Sequence, residues 1–523
     1  MQNVQSALER LRALAESGPV ATLAAAFADA GHELALVGGP VRDAFLGRTV
    51  TDLDFTTDAR PDRILEIVKP IAQAHWDIGR DFGTIGARIQ GEQVEITTYR
   101  ADTYDGVSRK PVVAFGDTIE GDLHRRDFTV NALALALPEL RLIDPTGGMD
   151  DLMTGVLRTP VEPAVSFGDD PLRMLRAVRF TSQLGFHLDG ESFGAVVDMA
   201  ARIDGISAER VRDELVKLLR TDAPRAGLEL LVETGLADRV LPELPALRLE
   251  RDDEHQHKDV YEHSITVLEQ AVALETERRP QESPDTVLRV AALLHDIGKP
   301  KTRRFGPGRK VTFHGHDAVG ARIARKRLTA LRFDNDSIKS IARLVELHMR
   351  VFNYEGAGWT DSAVRRFVRD AGPELDRLLI LIRADITTRN RRKSDRLLFA
   401  IDDLERRIGE LAEQEELDAI RPELDGEQIM AELGLKPSRE VGEAYRFLLE
   451  LRLDEGELGE EVARERLREW WLARGGSGDG VGDDPAPAGA EGDEAPGHDA
   501  DAEPADADAG AGPAGADDPV TKE

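Results

Sequence analysis

The sequence predicts an α+β protein, a small mixed-sheet domain followed by a long all-α body and an acidic tail. Three observations carry this reading. Leu36 to Phe55, LVGGPVRDAFLGRTVTDLDF, runs strand, glycine turn, helix, strand, and residues 85–90 and 93–99 alternate around Gly91-Glu92 as a hairpin does. From Asp150 almost to Trp471 the apolar period is helical. In order, the pattern predicts an amphipathic helix over Val4 to Ala15, the strand-turn-helix-strand unit, a helix over Pro61 to Ala74, the hairpin, and then helices. From Gly475 the chain is Gly, Ala, Pro, Asp and Glu with almost no large apolar residue, so disorder is expected there. The expected division is a head over 1–150, a helical neck over 151–250, a second helical domain over 251–400, a C-terminal helical body over 401–474 and the tail over 475–523.

Composition narrows the function classes. With 41% hydrophobic and 32% charged residues the chain reads as a soluble globular protein, long enough at 523 residues for several cores. It has no apolar run of membrane-spanning length and no signal-peptide pattern, so no membrane partner is expected. The absence of cysteine removes disulfides and thiolate metal sites and fits a reducing cytoplasm. The net charge of -30 counts at first sight against a nucleic-acid partner, but the tail's 14 acidic residues and one lysine hold -13 of it. RNA binding would then rest on local basic faces. The candidates are Arg173, Arg176 and Arg179 at helical spacing, Arg322 to Arg327, and Arg389 to Lys393; a solvated helix face is the favoured reading of any single one, and Arg176 and Arg179 are also expected among the nucleotide-binding residues.

Because strand side chains alternate, Asp52 and Asp54 point the same way while Leu53 turns into the core. Two hard oxygen ligands at that spacing suit Mg2+ held against a triphosphate. Gly38 and Gly39 allow a tight turn and close approach to phosphate, with a helix opening just after Pro40. This ordered combination resembles the head signature of the class II tRNA nucleotidyltransferase and bacterial poly(A) polymerase family, within the polymerase-beta-like superfamily. The resemblance implies that Gly38, Gly39, Arg42 and Asp43 handle the triphosphate and that Asp52 and Asp54 bind metal and catalyse. Glu95, on the second hairpin strand, is either the third carboxylate of such a site or an outward-facing strand residue.

RRDFTVNALAL, Arg125 to Leu135, reads as a helix that starts polar and continues apolar, with Asp127 and Asn131 one turn apart. Asp127 could equally be a cap; by resemblance Arg126, Asp127 and Asn131 contact the ribose. DGVSRKP, Asp105 to Pro111, resembles the family's mobile loop. In DDPLRMLRAVRF, Asp169 to Phe180, Pro171 fits a first helical turn and makes Asp170 an N-cap candidate. The family pattern uses these positions, Asp170 and Arg173, as a protein template for the incoming base, although Asp169 stands where glutamate is usual. A carboxylate only accepts hydrogen bonds and a guanidinium only donates them. Cytosine and adenine both present an amine beside a bare ring nitrogen and satisfy the pair; uracil and guanine leave groups unpaired, at about 1–3 kcal/mol each. CTP and ATP are the nucleotides expected. ISAERVRDEL, Ile206 to Leu215, resembles the neck motif, in which Glu209, Arg210 and Glu214 would brace the template helix; surface pairing explains it nearly as well.

Seven of the 12 histidines lie between His255 and His348. Neutral imidazoles with carboxylates suit a divalent transition metal that activates water. The order His263, His295-Asp296, His316, His348, Asp385 resembles the HD phosphohydrolase superfamily. That likeness implies His263, His295, Asp296 and Asp385 as primary ligands of Mn2+, Ni2+ or a similar ion, His316 and His348 for a second metal or phosphate, and Lys299 for substrate phosphate. The alternative is an inactive scaffold. Together the resemblances imply an enzyme of the HD-containing CCA-adding type: CTP and ATP donate to tRNA at the Mg2+ site, and the HD domain clears 2',3'-cyclic or terminal phosphates. A poly(A) polymerase shares all three head motifs. An HD-linked protein uridylyltransferase would need UTP, which the template pair disfavours.

Overall fold

The computed structural model describes residues 4–50, 52–100, 115–248, 259–306, 311–353, 359–388, 390–415 and 421–475. The expected mobile loop, Arg389 and the tail beyond 475 lie outside the described residues. The chain divides into two compact units, Met1–Pro422 with Leu449–Leu458, and Glu423–Leu448 with Gly459–Glu523.

The head opens with α1 (Val4–Ala15) and α2 (Gly18–Asp29), followed by β1 (Leu34–Val37), α3 (Gly39–Leu46), β2 (Leu53–Thr57) and α4 (Pro61–Val68). It continues with β3 (Ala74–Trp76), β4 (Thr84–Ile89), β5 (Glu92–Thr98), α5 (Ile119–His124), β6 (Ala134–Leu137) and β7 (Arg141–Ile143). These strands form one seven-stranded sheet in the order β3-β4-β5-β2-β1-β6-β7. Strands β2 and β5 run parallel, and the other pairs are antiparallel. All four residues of β1 are buried because it serves two cores: Leu34 and Leu36 join a large cluster with Phe27 and Phe55, while Ala35 and Val37 join a small one closed by Leu123 of α5.

Helix α1 matches its expected span. Three other expectations are corrected. Helix α4 stops at Val68 rather than Ala74, since a proline at position 70 has no N–H to continue the helical ladder; Ala74–Trp76 becomes a strand paired with β4. The hairpin turns at Gln90-Gly91, both at positive φ, one residue earlier than expected. The segment 125–135 is not a helix: a 3-10 turn over Thr129–Asn131 leads into β6, whose Leu135 pairs with Leu36.

Helices and two short ribbons make up the rest of the first unit: α6 (Gly148–Thr154), β8 (Val156–Leu157), α7 (Pro163–Asp169), α8 (Leu172–Leu184), β9 (His187–Leu188), α9 (Gly190–Met199), α10 (Ala208–Leu219), α11 (Arg225–Glu233) and α12 (Leu236–Val240). Beyond them come α13 (Val260–Arg278), α14 (Thr286–Leu294), α15 (Lys299–Thr302), β10 (Arg304–Phe305), β11 (Val311–Thr312), α16 (His316–Ala330), α17 (Asn335–Leu347), α18 (Asp361–Ala371), α19 (Leu375–Ala384) and α20 (Arg391–Glu415). One continuous hydrophobic cluster runs through these helices from Phe167 to Leu411. Within it Arg289 of α14 and Glu275 of α13 form a fully buried ion pair, and Arg289 also donates to the carbonyls of Leu219 and Thr221 at the end of α10, at 2.8 and 2.7 Å. Those carbonyls have no partner within their own helix, so a buried cation there satisfies an obligatory need. In the second unit α21 (Gly426–Leu433) is opened by an Asp425–Gln428 capping box, and Glu432 receives Arg464 of the last helix at 2.7 Å. Among the described residues no helix is long and apolar enough to cross a membrane.

Candidate functional site

The first site lies where β1, β2 and α3 meet. Gly38 sits at φ +74°, a conformation disfavoured for other residues, and a Cβ there would lie 3.1 Å from Arg126 Nη1 and 3.5 Å from the Asn131 carbonyl oxygen. The turn thus brings backbone and guanidinium together. Leu53 is buried while Asp52 is exposed and Asp54 half-buried, as alternation requires. Glu95 stands directly beside Asp54 across the parallel β2–β5 ladder. Burial, the neighbouring Glu95 and then Asp52 push the Asp54 carboxyl up to about 6, against the pull of Arg126. Three carboxylates crowded on one rim, one holding its proton unusually tightly, fit a site that takes a divalent cation.

A chain of polar contacts leads away from this rim. Arg42, almost wholly buried, grips Asp43 through two bonds of 2.8 and 2.9 Å and donates to Asn131 Oδ1 at 2.6 Å. Asn131 Nδ2 donates to Asp127 Oδ1 at 3.0 Å, so these residues meet as expected, although through a turn and not a helix. Arg176 of α8 closes on Asp127 Oδ2 at 2.7 Å. Burial works against the Asp127 charge, but Arg176 and Asn131 outweigh it and hold the carboxyl below its ordinary range. Arg179 pairs with Glu214 of α10 at 2.7 Å, both nearly inaccessible. The guanidinium groups of Arg42, Arg176 and Arg179 surround the Phe180 ring, which meets Phe128 edge to face. The expectation of a solvent-facing Arg173, Arg176, Arg179 patch is therefore corrected: Arg176 and Arg179 turn inward to acids 35 to 49 residues away.

Asp170 does bond the α8 N-terminus, accepting from Leu172 N at 3.1 Å, and its other oxygen accepts from Arg210 at 2.9 Å. Arg173 is held by the Ser166 hydroxyl at 2.7 Å and by the Arg125 carbonyl. Of the three neck residues, Glu214 touches α8 and Arg210 touches Asp170, two residues ahead of it. Glu209 does not: it is exposed, and its ion-pair partner is Arg332 at 4.0 Å.

Sequence reasoning missed Asp122. Fully buried in α5, it accepts from Arg125 at 2.8 Å, Arg126 at 3.2 Å, Thr56 Oγ1 at 3.2 Å and Arg100 N at 3.3 Å. Desolvation is outweighed by Arg126 and Arg125, so the carboxyl stays ionised and fixes Arg126 beside Asp54. An acid three and four residues ahead of two arginines was the available signal.

The second site lies in the helical body. His263 is in the first turn of α13, His295 and Asp296 follow α14, His316 opens α16, His348 follows α17 and Asp385 follows α19. The α14–α15 turn lies so close to α16 that a Cβ on Gly298 would fall 2.0 Å from the His316 carbonyl oxygen. His295, His316 and His348 each direct Nδ1 to a carbonyl at 2.7–2.8 Å, and His263 Nδ1 meets Thr387 Oγ1 at 2.9 Å. That fixes the rings and turns every Nε2 inward. Nε2 of His263 lies 2.9 Å from Asp385 and 3.3 Å from His295 Nε2; His316 Nε2 lies 3.3 Å from His348 Nε2. Asp296 faces both groups, with Oδ2 3.2 Å from His295 and Oδ1 3.2 Å from His316. Two sets of donors result, His263, His295 and Asp385, and Asp296, His316 and His348, each within 4.8 Å; among the described residues no other such set occurs, the head carboxylates included. Burial pushes His348 down to about 4, so its imidazole is neutral and able to ligate. Imidazole nitrogens oriented from behind, with a carboxylate shared between the sets, fit divalent metal. A cavity of about 300 Å³ opens over the first set, lined by Lys299, Thr387, Thr388 and Lys393, and Lys299 also pairs with Asp296.

Comparison with known proteins matches the domains in which both sites lie. The poly(A) polymerase head domain model matches residues 34–158, the probable RNA- and SrmB-binding site of polymerase A matches 185–247, and the HD domain matches 260–390. The A-adding tRNA nucleotidyltransferase of Deinococcus radiodurans is 37% identical over 448 residues, covering 83% of this chain and 95% of that protein. The CCA-adding enzyme of Bacillus subtilis is 39% identical over 226 residues, 43% of this chain, and the chain spans about half that relative's length, 55%. Among solved structures, the Bacillus stearothermophilus CCA-adding enzyme in complex with CTP aligns with a TM-score of 0.62 at 25% identity, covering 91% of this chain and 99% of that one. The Thermotoga maritima CCA-adding enzyme complexed with tRNA shares the fold, with a TM-score of 0.53 at 18% identity, covering 87% and 95%.

Proposed function

Since the chain belongs to the tRNA nucleotidyltransferase and poly(A) polymerase family, we propose that it adds CMP, CMP and AMP to tRNA 3' ends from CTP and ATP, with no nucleic-acid template. The observation that supports this reading is the continuous bonding from Arg42, on the helix after the Gly38 turn, through Asn131 and Asp127 to Arg176 of α8. In the proposed reaction the tRNA 3'-hydroxyl attacks the α-phosphate in line; the new P–O bond forms as the bond to pyrophosphate breaks. Asp52 and Asp54 would hold Mg2+, with Glu95 as a third carboxylate, and the metal supplies charge stabilisation when bound. Gly38, Gly39, Arg42 and Asp43 would take the triphosphate, Arg126, Asp127 and Asn131 the ribose, and Asp170 and Arg173 the base. Arg176 and Arg179 act by holding Asp127 and Glu214. The HD donors would bind Mn2+, Ni2+ or a similar ion, and Lys299 a substrate phosphate, for hydrolysis of 2',3'-cyclic or terminal phosphates. A cytoplasmic location follows from these substrates.

A second reading, addition of the terminal A alone, is favoured by the near-full-length likeness to an A-adding enzyme. Transcripts ending before, within and after the CC pair, given CTP and ATP singly and together, separate the readings. Three additions and a stop are expected; extension only of the CC-ending transcript establishes the second reading, and a long A tail makes the chain a poly(A) polymerase.

A further inference from the structure

Between α14 and α16 the chain passes through α15 and the β10–β11 ribbon, and residues 299–306, KPKTRRFG, hold four cations and no acid in a protein of net charge -30. Among the described residues Lys301, Arg303 and Arg304 form no ion pair, whereas Arg325, Arg343 and Arg350 in the segments that follow each meet a carboxylate. The ribbon's charge is therefore uncommitted. Phe305 lies among these cations, 63% exposed. A single exposed ring needs no explanation. This one faces a guanidinium: Arg303 Cζ stands 4.9 Å from its centroid, and Arg303 Nε is buried with no acceptor. Arg304 is exposed, and its Nη1 donates to the Arg303 carbonyl at 3.0 Å.

The root of the ribbon is fixed to the histidine centre. Lys299, at the start of α15, lines the cavity over His263 and Asp385, and its Nζ stands 5.7 Å from the Phe313 centroid. The Phe313 carbonyl is the group that His316 Nδ1 meets at 2.8 Å. Between these anchors Phe305 pairs with buried Val311 across the ribbon. At about 300 Å³ the cavity admits only a small phosphoester, so any strand that carries the ester lies outside, against the adjoining surface. Phe305 is six positions beyond Lys299, a span of at most about 20 Å. Aromatic faces stack on any base, and spare cations take phosphates without regard to sequence. We propose that α15 and the ribbon bind the single-stranded 3' end of an RNA whose terminal phosphoester lies in the cavity, with Phe305 and Arg303 stacking a base and Lys301 and Arg304 taking backbone phosphates. The substrates of the hydrolytic centre are then RNA ends in preference to free nucleotides. This rests on the phosphohydrolase reading above.

Phe305→Trp sets a fluorescent reporter on the ribbon. In metal-free full-length protein, a single-stranded RNA hexamer ending in a 3'-phosphate is expected to quench the added emission saturably, and free 2',3'-cyclic AMP is not. Adding Lys301→Glu or Arg304→Glu to the reporter should weaken that binding about tenfold and flatten its salt dependence by about 0.7 in log-log slope, while Arg304→Lys restores both, which separates lost charge from a disturbed fold. With Mn2+ supplied, Phe305→Ala should lower the ratio of kcat/KM for a hexamer ending in a 2',3'-cyclic phosphate to that for 2',3'-cyclic AMP about tenfold, and Phe305→Tyr should keep it. Absence of quenching by the hexamer, or a ratio unchanged in Phe305→Ala, overturns the proposal. Quenching by phosphatidylserine vesicles and not by RNA overturns it too and makes the ribbon a membrane contact. Quenching by RNA in protein that hydrolyses neither substrate refutes the phosphohydrolase reading and leaves the ribbon assignment standing; hydrolysis of both without quenching does the reverse.

Discussion

The two candidate sites solve the same problem, gathering acids and bases around divalent metal, in opposite ways. In the helical body six donors from five helical segments already converge, each imidazole set by a bond to its outer nitrogen. In the head, three carboxylates line an open rim and no three of them come within ligand distance of one another. A preassembled set binds metal without rearrangement, whereas an open rim is completed by the substrate's own phosphate oxygens. The difference fits a hydrolytic centre that acts on small phosphoesters and a transfer centre that must admit two large substrates in turn.

Breaking the comparison outright needs one change per site. Asp52→Asn or Asp54→Asn should lower nucleotide incorporation on the order of a thousandfold, about 4 kcal/mol, and leave phosphoesterase activity untouched. His295→Ala with Asp296→Ala should do the reverse, and loss of both activities in either variant would show that the sites are not independent. Next comes the brace behind α8. Glu214→Ala strands the buried Arg179 charge and should cost about 3–5 kcal/mol in denaturant unfolding, whereas the same change at exposed Glu209 should cost less than about 0.5.

Smaller effects sharpen the contrast. Asp170→Ala or Arg173→Ala should lose about 1–3 kcal/mol of discrimination, raising GTP and UTP use relative to ATP and CTP in competition assays. Acid should weaken the head site through Asp54. Its carboxyl titrates near 6, so below that pH a proton competes with Mg2+, and the apparent Mg2+ affinity for incorporation should fall by about tenfold per pH unit and be level above pH 7. The stability of metal-free protein changes the other way: the folded state holds this proton more tightly than the unfolded one, so the contribution is full below 3.8 and lost as pH rises through 6.

Local features of this molecule were legible in sequence, and long-range ones were not. The Gly38 turn, Asp52 and Asp54, and α1 depend on neighbouring residues and on side-chain period, which one chain displays. The strand β6 was read as helix because Ala and Leu dominate it; pairing with β1 overrode that propensity. The inward turn of Arg176 and Arg179 was invisible for a similar reason, since their partners Asp127 and Glu214 lie far off along the chain. The histidines of the body were found by type and order, but their division into two sets around Asp296 required the packing of α14 against α17 and of the α14–α15 turn against α16.

The buried Arg289 has a further implication. By tying α13 and α14 to the carbonyls that end α10, it makes the histidine-bearing helices part of the foundation beneath α10, the helix whose Glu214 holds Arg179 of α8. Truncating the chain after position 250 would bare one side of a shared apolar interior and leave those carbonyls unmet in the stump. A lineage without phosphoester hydrolysis would accordingly discard the donors and keep the architecture, so the clustered histidines are dispensable to the fold in a way that the helices bearing them are not.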